Sequence, residues 1–252
     1  LDEINVFKMK KIDLLTILLL WMFQPGISQT ADEVLKKVEA NLSSENRIMI
    51  SEMTIKGKRV SRTIESKTWA IGSQKSFTEY LSPIAERGTK MLKINDQLWM
   101  YSPKADRIVQ ISGHMLRQSV MGSDLSYEDM MEDRKLSQIY NAQIIGNEII
   151  NDRNVIVVEL IAKVSELAYH RQKMWIDAER FVPLRQEMYA RSGTLLRKAE
   201  TLEVKRIGSR WFPVELHFKD MLKQSDGTLF RIKEISFDQP IPESIFSKSA
   251  LK

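Results

Sequence analysis

The side chains best suited to bind a metal or act as a general base are three histidines, His114, His170 and His217, and they stand far apart. None has a second histidine or a cysteine at ligand spacing, whereas a zinc site needs three or four such donors converging. Ser123, within Gly122-Ser123-Asp124, lacks the flanking glycine pattern of a nucleophile elbow, and no glycine-rich phosphate loop occurs. The acidic group Asp124, Glu128, Asp129, Glu132 and Asp133 offers the oxygen donors that Ca²⁺ prefers, but its spacing is not that of an EF-hand loop. Those residues also have a structural account. Ser126 followed by Asp129 is a capping-box-like helix start, and Glu128 and Asp129 are favourable in a first helical turn. No catalytic residue, metal site or cofactor is expected, and the chain does not read as an enzyme.

The methionines carry more information. Met91, Met100, Met115, Met121, Met130 and Met131 fall in or beside the stretch from Gln97 to Asp133, among Leu98, Trp99, Tyr101, Leu116, Val120, Leu125 and Tyr127. Flexible, polarizable thioethers either fill core gaps or form surfaces that repack around variable apolar partners, and both uses fit here. The stretch divides into a wall strand, Leu98 to Tyr101, a candidate lid, Ser112 to Leu125, and a capped helix starting at Ser126. Gly122 is the flexible point between the last two.

These residues need a scaffold, and the remaining chain predicts a mainly β one. Val34, Leu35, Val38 and Leu42 share one face of an amphipathic helix over Ala31 to Leu42, with Asp32 and Glu33 in its first turn. Beyond it, runs rich in β-branched and aromatic residues predict strands near Ile48 to Lys56, Arg59 to Ile71, Lys75 to Leu81, Thr89 to Ile94, Leu98 to Ser102 and Ile108 to Ile111. The series resumes with Val155 to Ile161, Tyr169 to Ile176, Leu184 to Arg191, Leu195 to Ile207, Phe212 to Leu222 and Leu229 to Phe237. Asn95-Asp96, Ser192-Gly193 and Asp226-Gly227 have turn chemistry. A sandwich would satisfy the same pattern, but a long antiparallel meander with few helices is better housed in a strongly curved sheet, a half-open barrel. Residues 31–252 form one domain on this reading. Pro240 and Pro242 end the last strand and lead into an apolar tail, Ile245 and Phe246, expected to pack back.

Met9, Lys10 and Lys11, the apolar run Leu14 to Phe23 and the break at Gln24-Pro25-Gly26 follow the order of a secretory signal peptide, so residues 1–30 are set apart from the fold. The run is short for a membrane span of roughly 20 residues, although an uncleaved anchor would use the same features. The expected location is therefore an export compartment. Hydrophobic residues make up 43% and charged residues 28%, which argues against global disorder. There is no cysteine for a disulfide framework or for lipid attachment. The formal charge of +5 would favour anionic surfaces, but no Lys/Arg run or basic-aromatic interleaving points to nucleic acid.

Several blocks together resemble a known family. Tyr80-Leu81-Ser82-Pro83 with Arg87-Gly88-Thr89, Leu98-Trp99-Met100-Tyr101 with Pro103, and Met121-Gly122-Ser123-Asp124-Leu125-Ser126-Tyr127-Glu128-Asp129 are similar to the exported LolA-like outer-membrane lipoprotein-sorting proteins. Trp175-Ile176-Asp177, Pro183 and the Tyr189 to Gly193 segment extend the likeness. It covers most of residues 47–237, and the Gly122 to Asp129 block is its most specific part. The resemblance implies a half-open antiparallel β-barrel whose concave apolar side is covered by helices and holds a lipid acyl chain. It implies a soluble periplasmic protein, no catalytic residues, and partners among lipids or lipoprotein acyl chains, inner- and outer-membrane proteins, or an efflux or export complex. The related LolB-type carriers are anchored through a cysteine, which this sequence does not contain.

The expected function is thus an exported carrier or binding protein for acyl-chain ligands. Its cavity is drawn from Met91, Trp99, Tyr101, Trp175 and Phe218, and its lid from Met115, Leu116, Val120, Met121 and Leu125. The alternatives are an envelope sensor or adaptor of the RseB type, which would bind a membrane partner, and an envelope lipid hydrolase.

Overall fold

A computed structural model of the chain describes residues 29–132 and 134–252. The signal-peptide reading and Asp133 lie outside the described residues. Helix α1 (Ala31–Leu42) begins at a capping box in which Thr30 and Glu33 satisfy each other's backbone amides, and it buries Val34, Leu35 and Val38. Thirteen strands follow: β1 (Asn46–Lys56), β2 (Ser61–Ile71), β3 (Lys75–Ser82), β4 (Lys90–Ile94), β5 (Gln97–Ser102), β6 (Arg107–Ile111), β7 (Tyr140–Ile150), β8 (Arg153–Ala162), β9 (Arg171–Asp177), β10 (Pro183–Tyr189), β11 (Leu195–Ile207), β12 (Arg210–Asp220) and β13 (Thr228–Phe237).

They form one antiparallel sheet in the order β6-β5-β4-β3-β2-β1-β13-β12-β11-β10-β9-β8-β7. The β1–β13 pairing makes the sheet continuous through its middle, while β6 and β7 remain as free edges. The result is the expected strongly curved, half-open barrel with helices over its concave side. The open side is crossed by the β6–β7 connection, which holds the 3₁₀ helices Gly113–Arg117 and Val120–Gly122, α2 (Tyr127–Met131) and α3 (Leu136–Ile139).

Strand β7 is absent from the sequence expectation. Its run Tyr-Asn-Ala-Gln-Ile-Ile-Gly-Asn-Glu-Ile-Ile mixes polar residues with a register shift at Ile144/Gly146, and it is an edge strand with most side chains outside the core. A shift of one residue moves the apolar side chains to the other face, so no single alternation runs through it.

Side chains alternate between the two faces along β5 and along β8–β9, where no register shift occurs, and this corrects part of the expected cavity. In β5, Leu98 and Met100 point to the concave side, so Trp99 and Tyr101 must point away from it. There they join Phe77 and Leu92 in a separate cluster sealed by the C-terminal Phe246 and Leu251, the tail expected to pack back. Trp175 likewise faces outward with Val155 and Val157, its indole N–H donating to Glu148 at 2.8 Å. Alternation separates Trp99, Tyr101 and Trp175 from their inward neighbours, but only the curvature shows which set faces the concave side.

Two clusters occupy that side. Helix α1 packs on β7–β9 through Val158, Leu160, Met174 and Ile176. The other comprises Met53, Ile64, Tyr80, Met91, Leu98 and Ile111, with Val120 and Tyr127 of the β6–β7 connection set into it.

Candidate ligand-binding cavities

The segment expected to act as a lid is a folded strap with its own internal bonds. The Val120 amide donates to the Leu125 carbonyl at 2.8 Å and the Tyr127 amide to the Gln118 carbonyl at 3.1 Å, closing a tight loop. At its tip Met121 and Gly122 have φ of 52° and 79°, a left-handed pair for which glycine is well suited. The Met121 carbonyl accepts from the Arg62 guanidinium. At Ser126 the expected capping box forms with Asp129 and starts α2.

Two carboxylates fasten this strap to the opposite wall. Asp124, 1% exposed, accepts from the Thr228 hydroxyl at 2.8 Å, the Ser225 hydroxyl at 2.8 Å and the Asp220 amide at 3.0 Å. Its own amide donates to the Thr228 hydroxyl at 2.9 Å. Burial pushes the Asp124 carboxyl up, but the Asp220 amide, the Ser225 and Thr228 hydroxyls and nearby Lys223 outweigh it and hold the group below its ordinary value. Lys223 also donates to Ser119 and to the Ser123 carbonyl.

The second anchor is Asp129. It accepts from the Tyr169 hydroxyl at 2.6 Å and from the Arg197 guanidinium, which is 8% exposed on the inner face of β11. Burial pulls Arg197 below its usual value, against the pull of Asp220, Asp124 and Glu128, and pushes the Tyr169 phenol up. Among the described residues, Arg197 Nε has no hydrogen-bond partner.

Two of the cavities between the strap and the walls carry most of the apolar lining. The larger, about 650 Å³, sits under the strap against β10–β12, its apolar lining including Leu116, Leu125, Met131, Leu136, Met188 and Phe218. The smaller, about 380 Å³, lies against β1–β4, with Met53, Ile64, Tyr80, Val120 and Phe230 among its lining. Leu125, Asp129 and Glu132 border both, so the strap is the partition between them.

The expected site residues distribute accordingly. Phe218 lines the larger cavity. Met91 is on the inner face but borders neither cavity; it is 2% exposed, its sulfur accepting from the Tyr80 hydroxyl at 3.2 Å. Of the lid residues, Leu116, Val120 and Leu125 border cavities, whereas Met115 and Met121 pack on the apolar cluster around Met53 and Ile64. Sequence reasoning missed Arg197, Tyr169 and the anchoring role of Asp124. The available signal for Arg197 was a charged residue at an inward position of an alternating strand. His114 is exposed, and His217 meets the Asp226 carbonyl at 3.0 Å. Among the described residues no group of three or more His, Cys, Asp or Glu could hold a metal.

A family model described as "uncharacterized protein" matches residues 72–252, well over half of the chain. The chain belongs to that family. Its architecture is the LolA-like one read from the sequence blocks, and solved structures share it. A DUF1329 family protein from Desulfovibrio piger superposes with a TM-score of 0.81 at 21% identity, over 88% of this chain and 98% of that one. A domain assigned as an outer membrane lipoprotein-sorting protein, from Vibrio parahaemolyticus, gives 0.75 at 23% identity, over 88% and 97%. A LolA superfamily protein from Nitrosomonas europaea gives 0.72 at 21% identity, over 88% and 100%. No functionally curated protein matches the sequence. Among the described residues, no helix is long and apolar enough to cross a membrane, which says nothing of membrane β-barrels.

Proposed function

We propose that the chain is an exported, periplasmic carrier or binding protein for acyl-chain ligands, with no catalytic step of its own. The observation that carries this reading is the half-open 650 Å³ cavity between an apolar strap and the concave face of the sheet. Its size falls within the roughly 300–1,000 Å³ of small-molecule sites. Among the family's structural likenesses is a domain assigned to lipoprotein sorting, which favours lipid chains, and membrane-associated donors and acceptors, over other apolar ligands.

The physics suits the task. An acyl chain of about sixteen carbons gains roughly 12 kcal/mol on leaving water, at about 0.8 kcal/mol per methylene. A carrier must supply comparable burial in aqueous space without holding the chain far more tightly than a membrane does. An open barrel closed by a separately anchored strap can do both, because only the strap must move to expose the chain.

The test is binding of a fluorescent fatty-acid probe to delipidated protein, together with mass spectrometry of lipids retained through native purification. Ala199 lies on the larger cavity's wall, and Ala199→Trp should fill it and weaken probe binding at least tenfold while thermal stability changes little. Wild-type protein that neither retains lipid nor binds the probe refutes the reading.

A further inference from the structure

The smaller cavity differs chemically from the larger one, and the register shows how. Arg47 on β1, Ala70 on β2, Ser76 on β3 and Lys93 on β4 are successive cross-strand partners, so they form one row on the inner face. The next row is Met49, Thr68, Thr78 and Met91. The one after it begins with Ser51 and Ser66. Small side chains at the centre of these rows leave room above the sheet, and long cations flank it in the first row.

Hydroxyls line the floor. Ser51 and Ser66 meet at 3.2 Å and Thr68 and Thr78 at 2.9 Å. Each pair shares one proton, leaving the second hydroxyl hydrogen available to an acceptor in the cavity.

The charges around this cavity are unevenly compensated. Asp129 is held by Arg197, Glu132 by Arg134 at 2.7 Å, and Lys75 pairs with Glu243 at 2.8 Å. Lys93, 5% exposed, donates to the Ser73 and Met131 carbonyls at 2.9 and 3.1 Å. Arg47 is half-buried and has no ion pair or side-chain hydrogen bond among the described residues. Burial pulls its guanidinium below the ordinary value, yet an arginine stays charged. A half-buried guanidinium without an anion is unfavourable, and its planar donor fork matches an oxyanion. From Arg47 the inner face of β1 runs six residues, roughly 20 Å, to Met53, where Ile64, Tyr80, Val120 and Phe230 make the lining apolar.

We propose that the smaller cavity binds an amphiphile bearing an oxyanion, phosphate or carboxylate, with the anion at Arg47 over the Ser/Thr floor and the chain directed toward Met53. This site rests on the carrier reading and specifies the ligand class. An anionic group then completes the unpaired cation, while the apolar end merges with the strap that the larger cavity also uses.

Isothermal titration of the delipidated full chain with decyl phosphate, decanol and inorganic phosphate, below micelle-forming concentrations, tests it. Decyl phosphate should bind at least tenfold more tightly than decanol, and inorganic phosphate far more weakly than either. Arg47→Gln should erase most of that preference without changing decanol affinity, and Arg47→Lys should restore part of it. Because Arg47 has no partner to lose, both variants should fold with unchanged melting temperature. Equal affinities for decyl phosphate and decanol overturn the anion site and leave the carrier reading standing. Equal affinities for decyl phosphate and inorganic phosphate overturn the amphiphile, and equal weakening of both amphiphiles by Arg47→Gln overturns the role of Arg47. No binding of either amphiphile refutes both readings together.

Discussion

Removing the Asp124 carboxylate should uncouple the strap from the barrel wall. In Asp124→Ala three donors lose their acceptor: the Asp220 amide, the Ser225 hydroxyl and the Thr228 hydroxyl. Thr228 is wholly buried, so water does not readily replace the lost partner. A buried unsatisfied donor costs about 1–3 kcal/mol. Counting the fixed amide fully, and the two hydroxyls in part because they can rotate, gives about 3 kcal/mol for Asp124→Ala. Asp124→Asn keeps one acceptor oxygen but turns a nitrogen toward a donor, and should cost about 1–2 kcal/mol.

The assay is equilibrium urea unfolding of wild type and both variants from pH 7 down to pH 3. The folded-state carboxyl lies below its ordinary value near 3.8. Its stabilisation is therefore complete above that value and is lost as pH falls through the folded-state value. The gap between wild type and Asp124→Asn should accordingly be constant near neutrality and shrink below about pH 4. The same variants should bind a fluorescent acyl probe more weakly, because Leu125, the partition between the cavities, is the next residue along. An Asp124→Ala protein within about 0.5 kcal/mol of wild type, with a pH-independent gap, would refute the anchoring role.

Other outcomes follow from the same geometry. Trp99→Phe and Trp175→Phe should leave acyl-probe affinity within about twofold of wild type while costing about 1–2 kcal/mol in urea unfolding, since both rings pack on the outer face; a tenfold affinity loss would contradict that placement. Arg197→Met and Asp129→Ala, combined in a double-mutant cycle read by urea unfolding, should show coupling of about 1–3 kcal/mol; additive effects would mean that the pair does not anchor α2. Met115→Ser and Met121→Ser should each cost about 1–2 kcal/mol in stability and change probe affinity less than threefold, because these side chains border the apolar cluster and neither cavity. A larger affinity loss would make them cavity residues after all.

Much of the fold was legible because alternation and turn chemistry are local. The twelve expected strands, helix α1 and the Ser126 cap all depend on residues within a few positions of one another. Strand β7 was not legible, because its pairing with β8 shifts register at Gly146 and its exposed edge leaves no consistent apolar face. The site was harder to read because it is assembled from curvature. Trp99 and Leu98 are equally apolar neighbours, and the choice between them depends on which way a thirteen-stranded sheet bends. Glu128 and Asp129 were placed correctly in the first turn of a capped helix, but Asp129 and Asp124 find their partners 68 and 104 residues away, at Arg197 and Thr228. Pairings at that separation leave no mark in either local pattern.

The means of fastening the strap also bears on how a carrier can release its load. Apolar contacts alone would close the barrel with a strap whose opening exposed hydrocarbon to water, at about 25 cal/mol per Å². Here the two carboxylates provide position, while Leu116, Val120 and Leu125 border the cavities, Leu116 and Val120 also packing on the cluster around Met53 and Ile64. When a chain fills those cavities, these side chains gain contact with the ligand. Asp124 is 1% exposed, whereas the Asp129 and Arg197 side chains retain 17% and 10% exposure. Water can more readily take over hydrogen bonds at the second anchor, so the strap opens more easily at Asp129, which borders both cavities, than at the buried Asp124.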